Sequence, residues 1–263
     1  MQIFWLKNAF FLHICNIFSN FAAENEKTMR NLPTVTKYLL LTNLVMWLLD
    51  SSLQGHGVFL SQILGLWPVA SPYFKLWQPL TYMFMHANFS HLFCNMFAVL
   101  MFGPTLERTW GEKKFLTYYL ICGLGAALTQ AVVWALMDTT MAVTIGASGA
   151  VFGILLAFGW LFPEVEMFLL FIPIPIRSRT FVLLYALFEL MAGIGGLSLT
   201  SLSADNVAHF AHLGGMLFGW LILLWWRNEH KMPWHKWSRR HPRINSMEEK
   251  DKDYSGYHYQ KRV

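Results

Sequence analysis

Apolar residues in this chain fall in long blocks separated by short polar breaks. The blocks run from about Tyr38 to Leu53, Phe84 to Leu106, Lys114 to Met137, Ser148 to Phe162, Thr180 to Leu197 and Asn206 to Trp226. Several approach the length that carries a helix across a bilayer, about 20 residues. They predict six spans in an all-α, polytopic membrane helix bundle. Between the first two blocks lies a long connection, Gln54 to Met83, rich in glycine, proline and aromatics. Connections of this length are usually functional or disordered. This one is too apolar for disorder, so it is expected to lie half in the membrane interface. Pro163 and the run Ile172-Pro173-Ile174-Pro175 interrupt the chain after the fourth block, where a short surface helix is expected.

Composition agrees with that pattern. Hydrophobic residues make up 55% of the 263 and charged residues 13%, against about 25% charged in a soluble domain. The net charge of +5 is distributed as a topology signal and not as a nucleic-acid patch. Cytoplasmic loops carry the Lys/Arg excess. Lys27, Arg30 and Lys37 precede the first block, Arg108, Lys113 and Lys114 follow the second, and Arg177 and Arg179 follow the fourth. The tail carries many more, while the opposite side has only Lys75. Both ends of the core are therefore expected in the cytoplasm, in a multi-pass protein of a bacterial inner membrane. Cys15, Cys94 and Cys122 have no metal spacing and read as small hydrophobes.

Three segments follow from the same pattern. Residues 1–28 are apolar but interrupted by Lys7, His13 and three asparagines, and read as an extension: an interfacial helix, or a stretch upstream of a true start at Met29. Residues 29–226 form the transmembrane domain, and residues 227–263 a basic cytoplasmic tail.

Two of the helices carry candidate chemistry. The fourth opens on Gly146-Ala147-Ser148-Gly149-Ala150, with Gly153 one turn beyond Gly149, a small-residue face of the kind that lets membrane helices approach closely. On the sixth, Ala208, His212, Gly215 and Gly219 share one stripe. Alone, Ser148 reads as a packing serine bonded to its own helix. With His212 on a second small-faced helix, a Ser–His hydrogen bond becomes possible, which is how a weak hydroxyl nucleophile is activated.

These residues resemble the rhomboid family of intramembrane serine proteases. Gly146-Ala147-Ser148-Gly149 is similar to that family's GxSG nucleophile motif, and Ala211-His212-Leu213-Gly214-Gly215 to its AHxxG base motif. His86 to Asn95 resembles its second helix, with His91 and Asn95 one turn apart, and Gly103 to Gly111 resembles its GxxxExxxG signature. The resemblance runs from about Pro33 to Trp226. It implies a serine endopeptidase that cuts single-span membrane proteins near the outer interface by a Ser148–His212 dyad, without cofactor or metal. It also implies an oxyanion site formed by His91, Asn95 and the Ser148 backbone N–H. A structural role for Glu107, tying its helix to the adjoining loop, follows as well. Trp77-Gln78 departs from the Trp-Arg of many members and puts arginine-based anchoring of the long loop in doubt.

Phe152 stands one turn below Ser148 and either stacks on the base to orient it or is ordinary packing; some family members have a tyrosine there. No carboxylate is well placed in sequence to orient His212, and Asp205 reads as a helix cap. Glu189, in the middle of the fifth block, reads as a structural hydrogen-bonding group, protonated or paired. A metal set of His209, His212, His86 and Glu107 is disfavoured, because His86 and Glu107 fall at opposite ends of one span. A non-catalytic relative that binds transmembrane helices is the competing function, and inactive relatives lose the Ser–His pair, which is present here.

Overall fold

The computed structural model describes residues 32–137, 142–169, 172–198 and 204–229. Helix α1 (Thr34–Gln54) is followed by a long connection holding α2 (Leu60–Leu64), α3 (Gln78–Thr81) and a 3-10 turn (Tyr82–Phe84). Then come α4 (Phe89–Trp110), α5 (Glu112–Leu136), α6 (Ser148–Leu161), strands β1 (Glu166–Leu169) and β2 (Ile172–Arg177), α7 (Ser178–Ser198) and α8 (Ala204–Glu229). Two compact units divide the chain, Met1–Ile222 and Leu223–Val263, and the site described below lies wholly in the first. Among the described residues, Phe89–Trp110, Glu112–Leu136 and His209–Arg227 are long and apolar enough to cross a membrane, and Ser148–Leu161 is apolar but shorter.

Burial along α1 is the reverse of a soluble helix. Its buried face is Thr36, Leu39, Asn43 and Asp50, while Leu41, Leu44, Val45, Leu48 and Leu49 are exposed. In water this would waste the hydrophobic effect. In lipid the apolar face needs no cover, and the polar groups are the ones that must find partners. Thr36 and Asp50 find them, and the Asn43 amide nitrogen donates to the Leu39 carbonyl at 2.7 Å. Glu107, buried near the end of α4, accepts the backbone N–H groups of Val35 and Thr36 at 2.8 Å each and the Thr36 hydroxyl at 2.7 Å. Pro33 precedes α1 and supplies no side-chain cap. The Glu107 carboxylate takes over that task and sets a negative charge against the positive end of the α1 dipole. Glu107 therefore ties α4 to the start of α1, and not to its own loop as the sequence suggested.

Two side chains hold the long connection. Buried Asp50 accepts from the Leu60 N–H at 2.8 Å and so caps α2. Gln78, fully buried, accepts from the N–H groups of Lys75 (3.1 Å) and Trp67 (3.4 Å) and donates to the carbonyls of Tyr73 (3.0 Å) and Ile63 (3.2 Å). The amide meets both donors and acceptors, which a guanidinium cannot do. The loop is thus anchored without the arginine. Its far end is stitched to the segment before α6 by paired backbone bonds between Leu66 and Thr144, 2.9 Å each way.

After α6 the chain forms an antiparallel β1–β2 hairpin, where the sequence suggested a surface helix. Pro173 and Pro175 lack the N–H that a helix interior requires. A two-stranded ribbon has only edge strands, which tolerate proline. Exposed Glu164 pairs with Arg177 (3.1 Å) and Arg179 (2.9 Å) beside it. Replacing Gln78 by alanine should leave several buried loop amides and carbonyls unpaired, a loss of about 2–4 kcal/mol. Thermal unfolding in detergent should show a clearly lower midpoint for Gln78→Ala. An unchanged midpoint would mean that the loop is held by other contacts.

Candidate active site

Helix α6 begins at Ser148, so the serine stands at the N-terminal end of an apolar rod and its own N–H is among those without an intrahelical acceptor. Helix α8 brings His212 against it. The close approach is made by glycine: a Cβ on Gly215 would collide with the Gly149 carbonyl. At that separation the Ser148 Oγ lies 2.8 Å from the His212 Nε2. Residues 64 apart in sequence are joined by this hydrogen bond.

Phe152 lies flat on the imidazole. Its ring centroid is 4.3 Å from that of His212, with the planes 7° apart. On its other side it stacks on Tyr185 of α7 at 5.0 Å. Phe152 also belongs to a buried apolar cluster with Leu155, Val182 and Met216. Of the two sequence readings, stacking and packing, both describe this side chain. Phe152 therefore covers one face of the His212 ring.

The segment leading into Ser148 lies against α4. Gly146 has φ +124°, a backbone conformation that side chains with a Cβ rarely adopt. A Cβ there would also sit 2.6 Å from the His91 Nε2 and 3.9 Å from the Asn95 Nδ2. The Gly146 N–H donates to the Tyr82 carbonyl at 2.9 Å, which fixes the segment from behind. His91 and Asn95 are thus next to the chain that presents Ser148. Asn88 caps α4 by accepting the His91 N–H at 2.9 Å, and the Asn95 Nδ2 donates one hydrogen to the His91 carbonyl at 3.1 Å. Its second amide hydrogen has no use in that bond.

Glu189 is paired, one of the two states the sequence reading allowed, and the expectation that no carboxylate lies beside His212 is corrected. This residue of α7 is 3% exposed, so it belongs to the protein interior and not to the lipid face. Its Oε2 lies 2.9 Å from the His212 Nδ1 and 2.7 Å from the His209 Nδ1. A carboxylate is therefore in contact with His212, where the sequence offered none. Asp205 falls inside the first turn of α8, which opens at Ala204. A signal for Glu189 existed in the sequence: Val182, Tyr185 and Glu189 recur at helical spacing on α7, and Tyr185 reaches Phe152 one turn before Glu189 reaches His212.

The metal set considered from sequence is not assembled, because Glu107 is spent on α1 and His86 packs edge-on against His91 at 4.9 Å. Glu189, His209 and His212 instead present ligand atoms within 4.8 Å of one another and could hold a metal ion. In the structure both imidazoles already meet the same carboxylate oxygen at hydrogen-bond distance.

The Rhomboid domain family model matches residues 73–228, more than half of the chain. The chain is 29% identical over 209 residues to the putative rhomboid protease YdcA of Bacillus subtilis, covering 76% of this chain and 92% of that protein. It is 31% identical over 184 residues to the rhomboid protease AarA of Providencia stuartii, covering 64% and 59%. The chloroplastic rhomboid-like protein 11 of Arabidopsis thaliana is 29% identical over 209 residues, covering 78% and 69%. The protein belongs to the rhomboid family, a family of intramembrane proteases, and is an integral membrane protein.

The glycine contact that sets the Ser–His distance is directly testable. Gly215→Ala places a methyl on the Gly149 carbonyl and must push α8 from α6. Over-packing of this kind costs about 1–3 kcal/mol. The variant should unfold more easily, and its Ser148–His212 distance should exceed hydrogen-bond length in an experimental structure. A variant of full stability with the bond intact would contradict the packing argument.

Proposed function

We propose that this protein is an active intramembrane serine endopeptidase, with Ser148 as nucleophile and His212 as its base. The 2.8 Å contact between Ser148 Oγ and His212 Nε2 carries the reading. That length is within the range expected of a nucleophile and its general base. The Ser148 hydroxyl attacks the scissile carbonyl and passes its proton to Nε2. Charge then develops on the carbonyl oxygen. The Ser148 N–H, His91 and the second hydrogen of the Asn95 amide receive it, each donor contributing about 3–4 kcal/mol where such sites have been measured. His212 returns the proton to the leaving amine, then takes a proton from a water that attacks the acyl carbon and passes it to Ser148 Oγ as the ester bond breaks. Phe152 keeps the imidazole plane aligned throughout.

The substrates in this reading are single-span membrane proteins cut near the outer interface. The Lys/Arg distribution supports cytoplasmic ends for a six-span core and an outward-facing site, with the connection between α1 and α4 on the outer side. Residues 29–226 carry the activity and residues 1–28 are dispensable; residues 1–31 and the tail from 230 onward lie outside the described residues. The alternative, a binding protein for transmembrane helices without activity, is disfavoured by an intact Ser–His pair.

Cleavage of a panel of single-span substrates in proteoliposomes tests the proposal. Ser148→Ala and His212→Ala should each abolish cleavage, and His209→Ala should retain far more activity than His212→Ala. Robust cleavage by Ser148→Ala would end the proposal, and equal losses at the two histidines with folding intact would remove the assignment of the base. A chain starting at Met29 should insert and cleave. Failure to insert while the full chain succeeds would make the extension part of the fold.

A further inference from the structure

We infer that Glu189 is a positioning residue for His212, so that the site is a Ser148–His212–Glu189 triad supplied by α6, α8 and α7. The inference rests on the protease reading and deepens it. A side chain that has just met two imidazoles at 2.7 and 2.9 Å is committed to them geometrically. The proton count then decides what it does. An ionised carboxylate only accepts hydrogen bonds, and neutral imidazole carries one N–H and one acceptor nitrogen. If Glu189 Oε2 accepts from both histidines, each carries its proton on Nδ1. The Nε2 of His212 is then left with a lone pair, and that is the nitrogen 2.8 Å from Ser148 Oγ. With the proton on Nε2 instead, both Nε2 and the serine hydroxyl could not serve as the catalytic acceptor and donor.

Every contact in the cluster is satisfied by one arrangement of protons. Glu189 accepts two, His209 and His212 donate one each, and His212 accepts one from Ser148. When Oγ bonds to the scissile carbon, its proton moves to Nε2 and the carbonyl π pair moves to oxygen. The positive charge on His212 is then next to a carboxylate that stays ionised and takes no proton. His209 holds the second side of the same oxygen and keeps it from turning away. Phe152 fixes the plane of the His212 ring, and Glu189 fixes its rotation within that plane. A buried carboxylate in an apolar helix is costly unless paired, and here the pairing coincides with the base.

Two measurements on the full chain test this. The first uses the wild-type protein with 15N-labelled histidine in lipid, at mildly alkaline pH, with His212 signals assigned by their loss in His212→Ala. The expected result is Nδ1 protonated and Nε2 bare on His212. A protonated Nε2 overturns the triad, whether or not the protein cleaves anything. The second compares steady-state cleavage by wild type, Glu189→Gln and Glu189→Asp. Glu189→Gln should lower kcat on the order of 10³-fold or more while KM stays within about threefold, as when an orienting carboxylate is lost elsewhere. Glu189→Asp keeps the charge on a shorter stem and should recover at least about tenfold of that loss. A kcat for folded Glu189→Gln within about threefold of wild type overturns the proposal. Should Glu189→Gln fail to fold, the tautomer of the wild-type protein still decides. Absence of cleavage by wild type would count against the protease reading alone.

Discussion

The site depends on how closely α6 and α8 approach. Gly215 rests on the Gly149 carbonyl, and a side chain at that point would hold the helices apart. Lipid offers no hydrophobic drive to press helices together, so contact area and hydrogen bonds must do so. Small residues supply the first and the Ser148–His212 bond supplies part of the second. Close packing and the Ser148–His212 hydrogen bond are served by the same pair of helix faces.

Polar groups elsewhere are arranged by the same rule, that nothing buried in an apolar region is left without a partner at low cost. Glu107 terminates α1 from a distance of 72 residues in sequence. Asp50 starts α2, and Gln78 holds four backbone groups of the connecting loop. These contacts fix the far end of the connection, and the Leu66–Thr144 bridge passes that order to the segment that presents Ser148. Gly146 then turns the chain against His91 and Asn95 in a backbone conformation that few other residues adopt. The position of Ser148 is set from behind, by the loop, as well as from the side, by α8.

Much of this was legible in the sequence. Helix periodicity put Ser148 at the head of one small-faced helix and His212 on the small stripe of another, and the structure joins them. The composition pointed to membrane helices, and family membership bears this out; length and hydropathy alone single out three spans among the described residues. What escaped was set by tertiary geometry. That Glu189 pairs with His209 and His212 escaped because they lie 20 and 23 residues downstream on a helix whose rotation the sequence does not specify. The hairpin of β1 and β2 escaped because an Ile-Pro alternation forbids a helix without stating what replaces it. Gln78 looked like a lost arginine, yet an amide satisfies donors and acceptors together.

The proposed activation of Ser148 by His212 can be read covalently. The protein in proteoliposomes would be treated with a biotinylated fluorophosphonate, digested, and the modified residue mapped by tandem mass spectrometry. A single adduct on the Ser148 hydroxyl is expected, absent when His212 is replaced by alanine. An adduct on another serine, or equal labelling of Ser148 without His212, would contradict it.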